Sequence, residues 1–261
     1  MAFVNSYKPS VEPIVSDAEL YGPDPYDVNF TFPLPPGSLE SERVRLTPFI
    51  PRQYAEEYWT HVGGNPDILR YYPTTWPTLE SFLFYQEAYV RRDPANVAIA
   101  IIDKTRPDPA HPERGGSFAG IVGLYYTSSA NLVTEIAFLV IFPPFQRTHV
   151  TSNTVGILLK FCLELPSANP PGLGLRRVQW RAHEKNVPSI NLAERMGFTK
   201  EGVSRWYNVL PADLARDGAK PGENDKQPEK YGRHTAVLSV CWDDWERGVR
   251  DIAHKNVARV A

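Results

Sequence analysis

Residues 180–202 read Trp-Arg-Ala-His-Glu-Lys-Asn-Val-Pro-Ser-Ile-Asn-Leu-Ala-Glu-Arg-Met-Gly-Phe-Thr-Lys-Glu-Gly, and this stretch decides the fold. Asn186 stands where a strand turns into a helix, and Gly197 is typical of the residue that closes a helix. Thr199 then begins a second alternating segment. The stretch therefore predicts a strand, a helix and a strand, over residues 177–183, 188–196 and 199–207.

The segments on either side predict further regular structure. Alternation and apolar runs predict strands at residues 43–47, 97–102, 118–126, 133–141 and 234–242. Helical periodicity and helix-start residues predict helices at residues 51–62, 78–92, 148–165 and 245–253. Successive antiparallel strands followed by a β-α-β crossover predict a mixed, mostly antiparallel α/β sheet with helices on both faces.

The chain divides into an arm and one domain. Residues 1–42 are rich in proline and aromatic residues and show no regular period, which predicts an extended arm. Its aromatic residues argue against pure disorder, so the arm either lies across the body or a partner subunit, or is a loosely held tail. Residues 43–255 are expected to form a single domain.

Composition excludes several classes of partner. The 28 basic and 30 acidic residues give a formal net charge of −2, which disfavours nucleic acid and anionic membrane surfaces as partners. Two cysteines are too few for a disulfide framework or a thiolate metal site, so no metal is expected. With neither a signal-peptide pattern nor an apolar run long enough for a membrane span, we expect a cytoplasmic protein.

A second informative segment runs from Glu135 to Ser152. A buried strand leads through a Pro-Pro turn into a helix whose first turn carries Arg147, Thr148, His149 and Thr151. A helix N-terminus with added hydroxyls and an arginine suits a phosphate ester. The alternative is an ordinary helix start with Ser/Thr capping, and the segment alone leaves both open.

The pattern Asn-x-x-Ser at residues 186–189, followed by Gly-Phe-x-x-Glu-Gly at residues 197–202, resembles the RimJ/RimL-like branch of the GNAT (Gcn5-related) N-acetyltransferases. The likeness continues through residues 231–245, which resemble that branch's closing strand and acidic-Trp pair, and spans roughly residues 43–250. It implies the GNAT fold, with a splayed central strand pair, and an acetyl-CoA-dependent N-acyltransferase.

The resemblance also implies how acetyl-CoA is held. The family's phosphate loop is usually Gln-x-x-Gly-x-Gly/Ala, and here Gln146 matches while His149 and Thr151 stand at the small positions. Backbone groups near Val140 and Ile141 would pair with the pantetheine amides, and Asn186 would bond the pantetheine arm. The implied cosubstrate-binding residues are Val140, Ile141, Gln146, Arg147, Thr148, His149, Val150, Thr151 and Asn186.

For catalysis, the resemblance implies direct attack by the amine on the thioester, which calls for a base. Glu135 is the first candidate and is equally compatible with a structural role as a charged residue at a strand end, and His183 and Glu184 are further candidates. Ser189 would lie near the sulfur and protonate the leaving thiolate. Glu201 matches a family position that is compatible with a structural hydrogen bond alone.

The acceptor is not fixed by the sequence. Residues 67–72, 206–208 and 211–233 would line its pocket, with an aromatic set that suits an amine or simply fills the core: Tyr71, Tyr72, Trp76, Trp206 and Tyr207. The leading hypothesis is N-acetylation of a small molecule or amino acid. The alternatives are a protein N-terminal acetyltransferase and a degenerate member that binds CoA or a partner without turnover. A homodimer is left open.

Overall fold

The computed structural model of the chain describes residues 2–35 and 38–258. Its strands are β1 (Val44–Pro48), β2 (Val97–Asp103), β3 (Ser117–Ser128), β4 (Val133–Ile141), β5 (Arg177–His183), β6 (Thr199–Val209) and β7 (Gly232–Cys241). They form a seven-stranded sheet in the order β1-β2-β3-β4-β5-β7-β6. Neighbouring strands are antiparallel except β4 and β5, which are parallel. The predicted mixed, mostly antiparallel sheet is confirmed.

The described helices are α1 (Pro51–Val62), α2 (Leu79–Tyr85), α3 (His149–Leu163), α4 (Val187–Arg195), α5 (Trp242–Asp244) and α6 (Arg250–Val257). A π-helical turn, Gln86–Arg91, continues α2, so the predicted helix at residues 78–92 is correct in extent. The side chain of Thr78 caps its start by accepting the Ser81 N–H at 3.1 Å. The last predicted helix, at residues 245–253, begins earlier, at Trp242, and continues through a π-helical turn, Trp245–Val249, into α6.

Helices cover both faces of the sheet. Every residue of β2 is buried, which requires cover on both sides. One layer includes α1 and α2, whose rings Tyr58 and Phe82 stack with centroids 4.5 Å apart. Another includes α3, which packs against α6 and contacts β1, β4 and β5. Residues from all these elements join one hydrophobic core.

The two halves of the N-terminal arm differ in their contacts with the body. The Thr31 N–H donates to the Pro94 carbonyl at 2.9 Å, and Phe30 and Phe32 pack against the core. Near the start of the chain, the Phe3 side chain is 93% exposed. The second half of the arm therefore lies across the body, whereas the first residues extend into solvent.

Across residues 2–35 and 38–258, no helix combines the length and apolar character that crossing a bilayer requires.

Candidate active site

The two parallel strands part soon after they pair. Their register holds only from Val133 to Glu135 of β4, against Arg177 to Gln179 of β5. On its other edge, β4 carries a bulge, where Phe138 has a left-handed φ of 51°. Opposite the end of β4, Gly120 of β3 approaches so closely that a Cβ would lie 2.0 Å from the Val140 carbonyl oxygen. The bulge turns β4 away from β5 and opens a gap in the sheet.

This gap is a cleft of about 670 Å³. One wall is β4 from Glu135 to Ile141, and the other is the end of β5 with the first turns of α4. Tyr71, Tyr207 and Arg233 are also part of the lining. A concave site of this size, lined by both polar and apolar groups, is the usual setting for a small-molecule reaction.

Glu135 lies buried in this cleft and forms an ion pair with Arg181 of β5. The guanidinium of Arg181 also donates to the Tyr207 hydroxyl and lies 4.6 Å from the centroid of the Tyr126 ring. Burial raises the pKa of the Glu135 carboxyl, and the charge of Arg181 opposes that shift without cancelling it. A carboxylate with a raised pKa holds a proton more readily than an exposed one, which suits a general base.

Arg233 of β7 is a second buried cation in the cleft, with its residue only 6% exposed. Its guanidinium donates to the Thr235 hydroxyl at 2.6 Å and to the Tyr71 carbonyl at 3.4 Å. Burial lowers the pKa of Arg233 to about 10, with Glu135 opposing the shift, so the side chain stays protonated at neutral pH. The part of the cleft next to Tyr71 therefore contains a charged arginine held by neutral partners.

His183 lies at the end of β5 and is buried. Its Nδ1 accepts the Lys185 N–H at 3.1 Å, which assigns the ring proton of the neutral imidazole to Nε2. Burial first, and then the charge of Arg233, lower the pKa of His183. The neutral ring thus presents an N–H donor rather than a free base nitrogen.

Asn186 and Ser189 form the start of α4. The Asn186 Oδ1 accepts the Ser189 N–H at 3.3 Å and caps the helix, so its amide nitrogen remains available to another partner. The Ser189 hydroxyl oxygen accepts the indole N–H of Trp180 at 3.0 Å. Because that contact uses an oxygen lone pair, the serine O–H is left to donate.

The segment Gln146–Thr151 leads from β4 into α3. The Gln146 amide donates to the Ile141 carbonyl at 2.9 Å, and Arg147 is exposed with a left-handed φ of 59°. Thr148 caps α3 by accepting the Val150 N–H at 3.3 Å. The first-turn N–H groups of a helix have no intrahelical partner and attract anions, so this end of α3 retains the character of a phosphate site.

His149 is turned into the body of the protein. Its Nε2 lies 3.3 Å from the Asp103 Oδ1, without the alignment of a hydrogen bond. Burial lowers the pKa of His149, and Asp103 opposes that shift. The imidazole is therefore a packed group beneath the loop and is absent from the lining of the cleft.

The structure brings most of the sequence-predicted site residues to one cleft. Those that line it are Glu135, Val140, Ile141, Gln146, Thr151, His183, Asn186 and Ser189. Those that do not are Arg147, Thr148, His149 and Val150. Of the aromatic set, Tyr71, Tyr72 and Tyr207 line the cleft, Trp76 lies in the core against Phe82, and Trp206 packs on His234. Glu184 is not part of the lining, and Glu201 pairs with Arg177.

Sequence reasoning missed Arg181 and Tyr126 as site residues, and it included Arg233 only as the last residue of the predicted lining range 211–233. A signal existed for Arg181, because Gln179, Arg181 and His183 alternate with apolar residues along β5 and so share one face. Arg233 and Tyr126 carry no comparable signal, since only the folded sheet brings them to the cleft.

Residues 43–199, more than half of the chain, match the family model described as an acetyltransferase (GNAT) domain. No curated protein matches the sequence significantly. Many solved structures share the fold. A GCN5-related N-acetyltransferase from Brucella melitensis is similar with 22% identity and a TM-score of 0.63, over 84% of this chain and 85% of that one.

Two further solved structures of acetyltransferases share this fold. A putative acetyltransferase from T. thermophilus has 21% identity and a TM-score of 0.63, covering 84% of this chain and 96% of its own. Spermidine N-acetyltransferase from Vibrio cholerae, in complex with CoA and spermine, has 12% identity and a TM-score of 0.55, covering 78% of this chain and 98% of its own. These likenesses concern the fold, and the RimJ/RimL-like branch stays a prediction.

Proposed function

The chain belongs to the GNAT acetyltransferase family, and we propose that it moves an acetyl group from acetyl-CoA to the primary amine of a small molecule or amino acid. The observation that carries this proposal is the parting of β4 and β5 after Glu135, beside the first turn of α4. That parting puts an open strand edge, a buried carboxylate and a serine hydroxyl around one cleft.

The residues present fit acetyl-CoA, whose thioester supplies an acetyl group activated toward an amine. Residues 136–141 of β4 have no partner on β5 within the described residues, so their backbone groups on that edge suit the pantetheine amides. Asn186 retains its amide donors for the same arm, since its oxygen caps α4. The first turn of α3 offers N–H groups to the phosphates.

The missing glycines of the phosphate loop are compatible with this fit. Because the His149 imidazole packs inward toward Asp103, it takes no space in the cleft. Thr151 lines the cleft, and its hydroxyl supplies a donor where the family usually has only backbone. We therefore assign the phosphates to the N-terminus of α3 with help from Thr151.

Two side chains and one backbone N–H then have separate roles in the transfer. Glu135 takes the proton that the acceptor ammonium must lose before its nitrogen attacks. A strand N–H near Val140 would stabilise the negative charge that develops on the carbonyl oxygen as the N–C bond forms. That charge is lost as the C=O bond re-forms and the C–S bond breaks, and the second proton of the nitrogen passes to solvent. Ser189, held by the Trp180 indole, donates its proton to the leaving sulfur and regains one from solvent.

Calorimetry with acetyl-CoA, followed by measurement of CoA release with amines, amino acids and short peptides, tests this function. We expect binding tighter than about 1 mM, which corresponds to ~4 kcal/mol, and turnover of small amines. Faster turnover of peptide N-termini would favour the protein acetyltransferase alternative. Binding weaker than that limit, without turnover, would favour the non-enzymatic alternative.

A matched pair of variants examines the cofactor site itself. Asn186→Asp keeps the oxygen that caps α4 and removes the amide donors, so it should weaken acetyl-CoA binding about tenfold, the effect of one good hydrogen bond. Asn131→Asp, in the exposed turn between β3 and β4, makes the same chemical change away from the cleft. Equal affinities for the two variants would argue against a pantetheine contact at Asn186.

A further inference from the structure

The buried charges of the cleft do not balance. Glu135 and Arg233 are buried charged residues of its lining and Arg181 is partly buried, which makes one anion against two cations. Asp67 also lines the cleft, but its side chain is 73% exposed and is paired with Arg216 at 2.8 Å. Because Glu135 forms an ion pair with Arg181, the interior of the cleft contains one protonated arginine without a carboxylate partner.

That excess cation is Arg233. Within the described residues, no carboxylate lies within 4.0 Å of its guanidinium, and its contacts are a hydroxyl and a carbonyl. An arginine has five N–H donors, so three of them have no acceptor in those contacts. Its Nε is buried without any hydrogen-bond partner. A buried charge left this way is costly unless a ligand supplies the missing acceptors.

A neighbouring group adds to the surplus of donors. The Nε2 of His183 is buried and has no partner within the described residues, and the ring lies 5.5 Å, centroid to centroid, from Tyr71. Since Nδ1 accepts a backbone N–H, Nε2 carries the proton and faces the same need for an acceptor. Arg233 of β7 and His183 of β5 thus both line the cleft, and each has a buried N–H without an acceptor.

We propose that the acceptor carries a carboxylate as well as its amine, in the manner of an amino acid, and that Arg233 binds this carboxylate. The inference rests on the proposed function, because it concerns the acceptor of the same transfer. A guanidinium and a carboxylate match in charge and in paired hydrogen-bond geometry. A polyamine would instead bring a second cation beside Arg233, so this cleft differs in kind from one that takes spermine.

Matched acceptors test the inference: each standard amino acid, its amide and its decarboxylated amine, compared by kcat/KM for CoA release. For the preferred side chain, we expect the acid to exceed the amide and the amine by about 10-fold to 100-fold, the range for a hydrogen-bonded charge. Amides or decarboxylated amines that react equally well would overturn the inference and leave the proposed function in place.

Variants of Arg233 test whether this residue causes the preference for the acid over the amide. Arg233→Gln should lower kcat/KM for the acid by about 100-fold and reduce the acid-to-amide ratio to about one. Arg233→Lys keeps the charge without the planar fork and should retain part of the ratio. Arg247→Gln, an exposed arginine paired with Asp243, is the matched control and should keep the full ratio. A full ratio in Arg233→Gln would also overturn the inference.

Calorimetry separates the two proposals. If no amine is turned over but amino acids bind the wild-type protein and not Arg233→Gln, the carboxylate site stands and the transfer reaction falls. If amino acids neither bind nor react, both fall. Should Arg233→Gln fail to fold, inhibition of the wild-type enzyme by phenylacetate but not by 2-phenylethanol gives the same answer, and equal inhibition by the two would contradict the inference.

Discussion

Replacing Glu135 by Gln separates the two roles that this carboxylate has in the cleft. The Gln side chain keeps the shape and one acceptor, but it removes the negative charge that faces Arg181. Glu135 and Arg181 are both largely buried, with side chains 6% and 17% exposed. Breaking a buried pair by removing one charge costs about 3 kcal/mol, because the other charge stays buried without compensation.

The expected effects are therefore twofold. With ~3 kcal/mol lost and a shift of ~2–4 °C per kcal/mol for a chain of this size, Tm should fall by about 10 °C. As the general base, Glu135 should also contribute about 100-fold to kcat/KM. Wild-type kcat/KM should rise with pH through a pKa above the usual 4.5, and this limb should disappear in Glu135→Gln.

The double variant Glu135→Gln/Arg181→Gln decides between base and ion-pair partner. Removing both charges should recover much of the lost Tm, since no cation is then left without its partner. Activity should stay low, because the base is still missing. Thermal denaturation by circular dichroism and CoA release from pH 4.5 to 9 are the assays. Activity that returns together with Tm, or an unchanged pH–rate profile in the single variant, would refute the assignment of Glu135 as base.

Two further perturbations test other parts of the account. Ser189→Ala removes the O–H proposed to protonate the leaving sulfur, so kcat should fall by about 10-fold to 100-fold while KM for acetyl-CoA changes little; an unchanged kcat would leave Ser189 only its contact with Trp180. Burial lowers the pKa values of His149 and His183 in the folded protein, so below about pH 6.5 the unfolded chain binds more protons. The free energy of unfolding should therefore decrease as pH falls below 6.5, with a smaller slope in His149→Asn by urea denaturation, and an identical slope would contradict this.

Much of the fold was predictable because each element carries its own local signal. Alternation located the strands, and Gly197 ended α4 where the sequence indicated. The cap at Thr78 marked the start of α2 in the same way. These signals depend on neighbours within a few residues, which a sequence displays directly.

The shape of the site depends on contacts that no local pattern displays. The bulge at Phe138 lies inside the unbroken apolar run 136–141 of β4, and the close approach at Gly120 comes from a different strand. The inward turn of His149 depends on Asp103, which lies on β2. Arg233 is likewise part of the cleft only because β7 pairs beside β5.

The same dependence on contacts between distant elements explains why the sequence did not define the acceptor pocket. Trp76 and Tyr72 looked equivalent as aromatic residues between two helices, yet one fills the core and the other lines the cleft. The Tyr72 hydroxyl reaches the Leu139 carbonyl at 2.8 Å, next to the bulge, and that contact fixes its position. Whether such a residue fills the core or lines the cleft depends on its burial, and burial follows from the packed sheet rather than from residue type.

Amine-dependent release of CoA from acetyl-CoA is the decisive measurement for the proposed acetyl transfer. We expect release that saturates with a small primary amine and yields the N-acetylated product by mass spectrometry. We also expect release to fall about 100-fold in Glu135→Gln. Acetyl-CoA affinity weaker than about 1 mM, together with no acetylated product from any amine, amino acid or peptide, would contradict the proposed transfer.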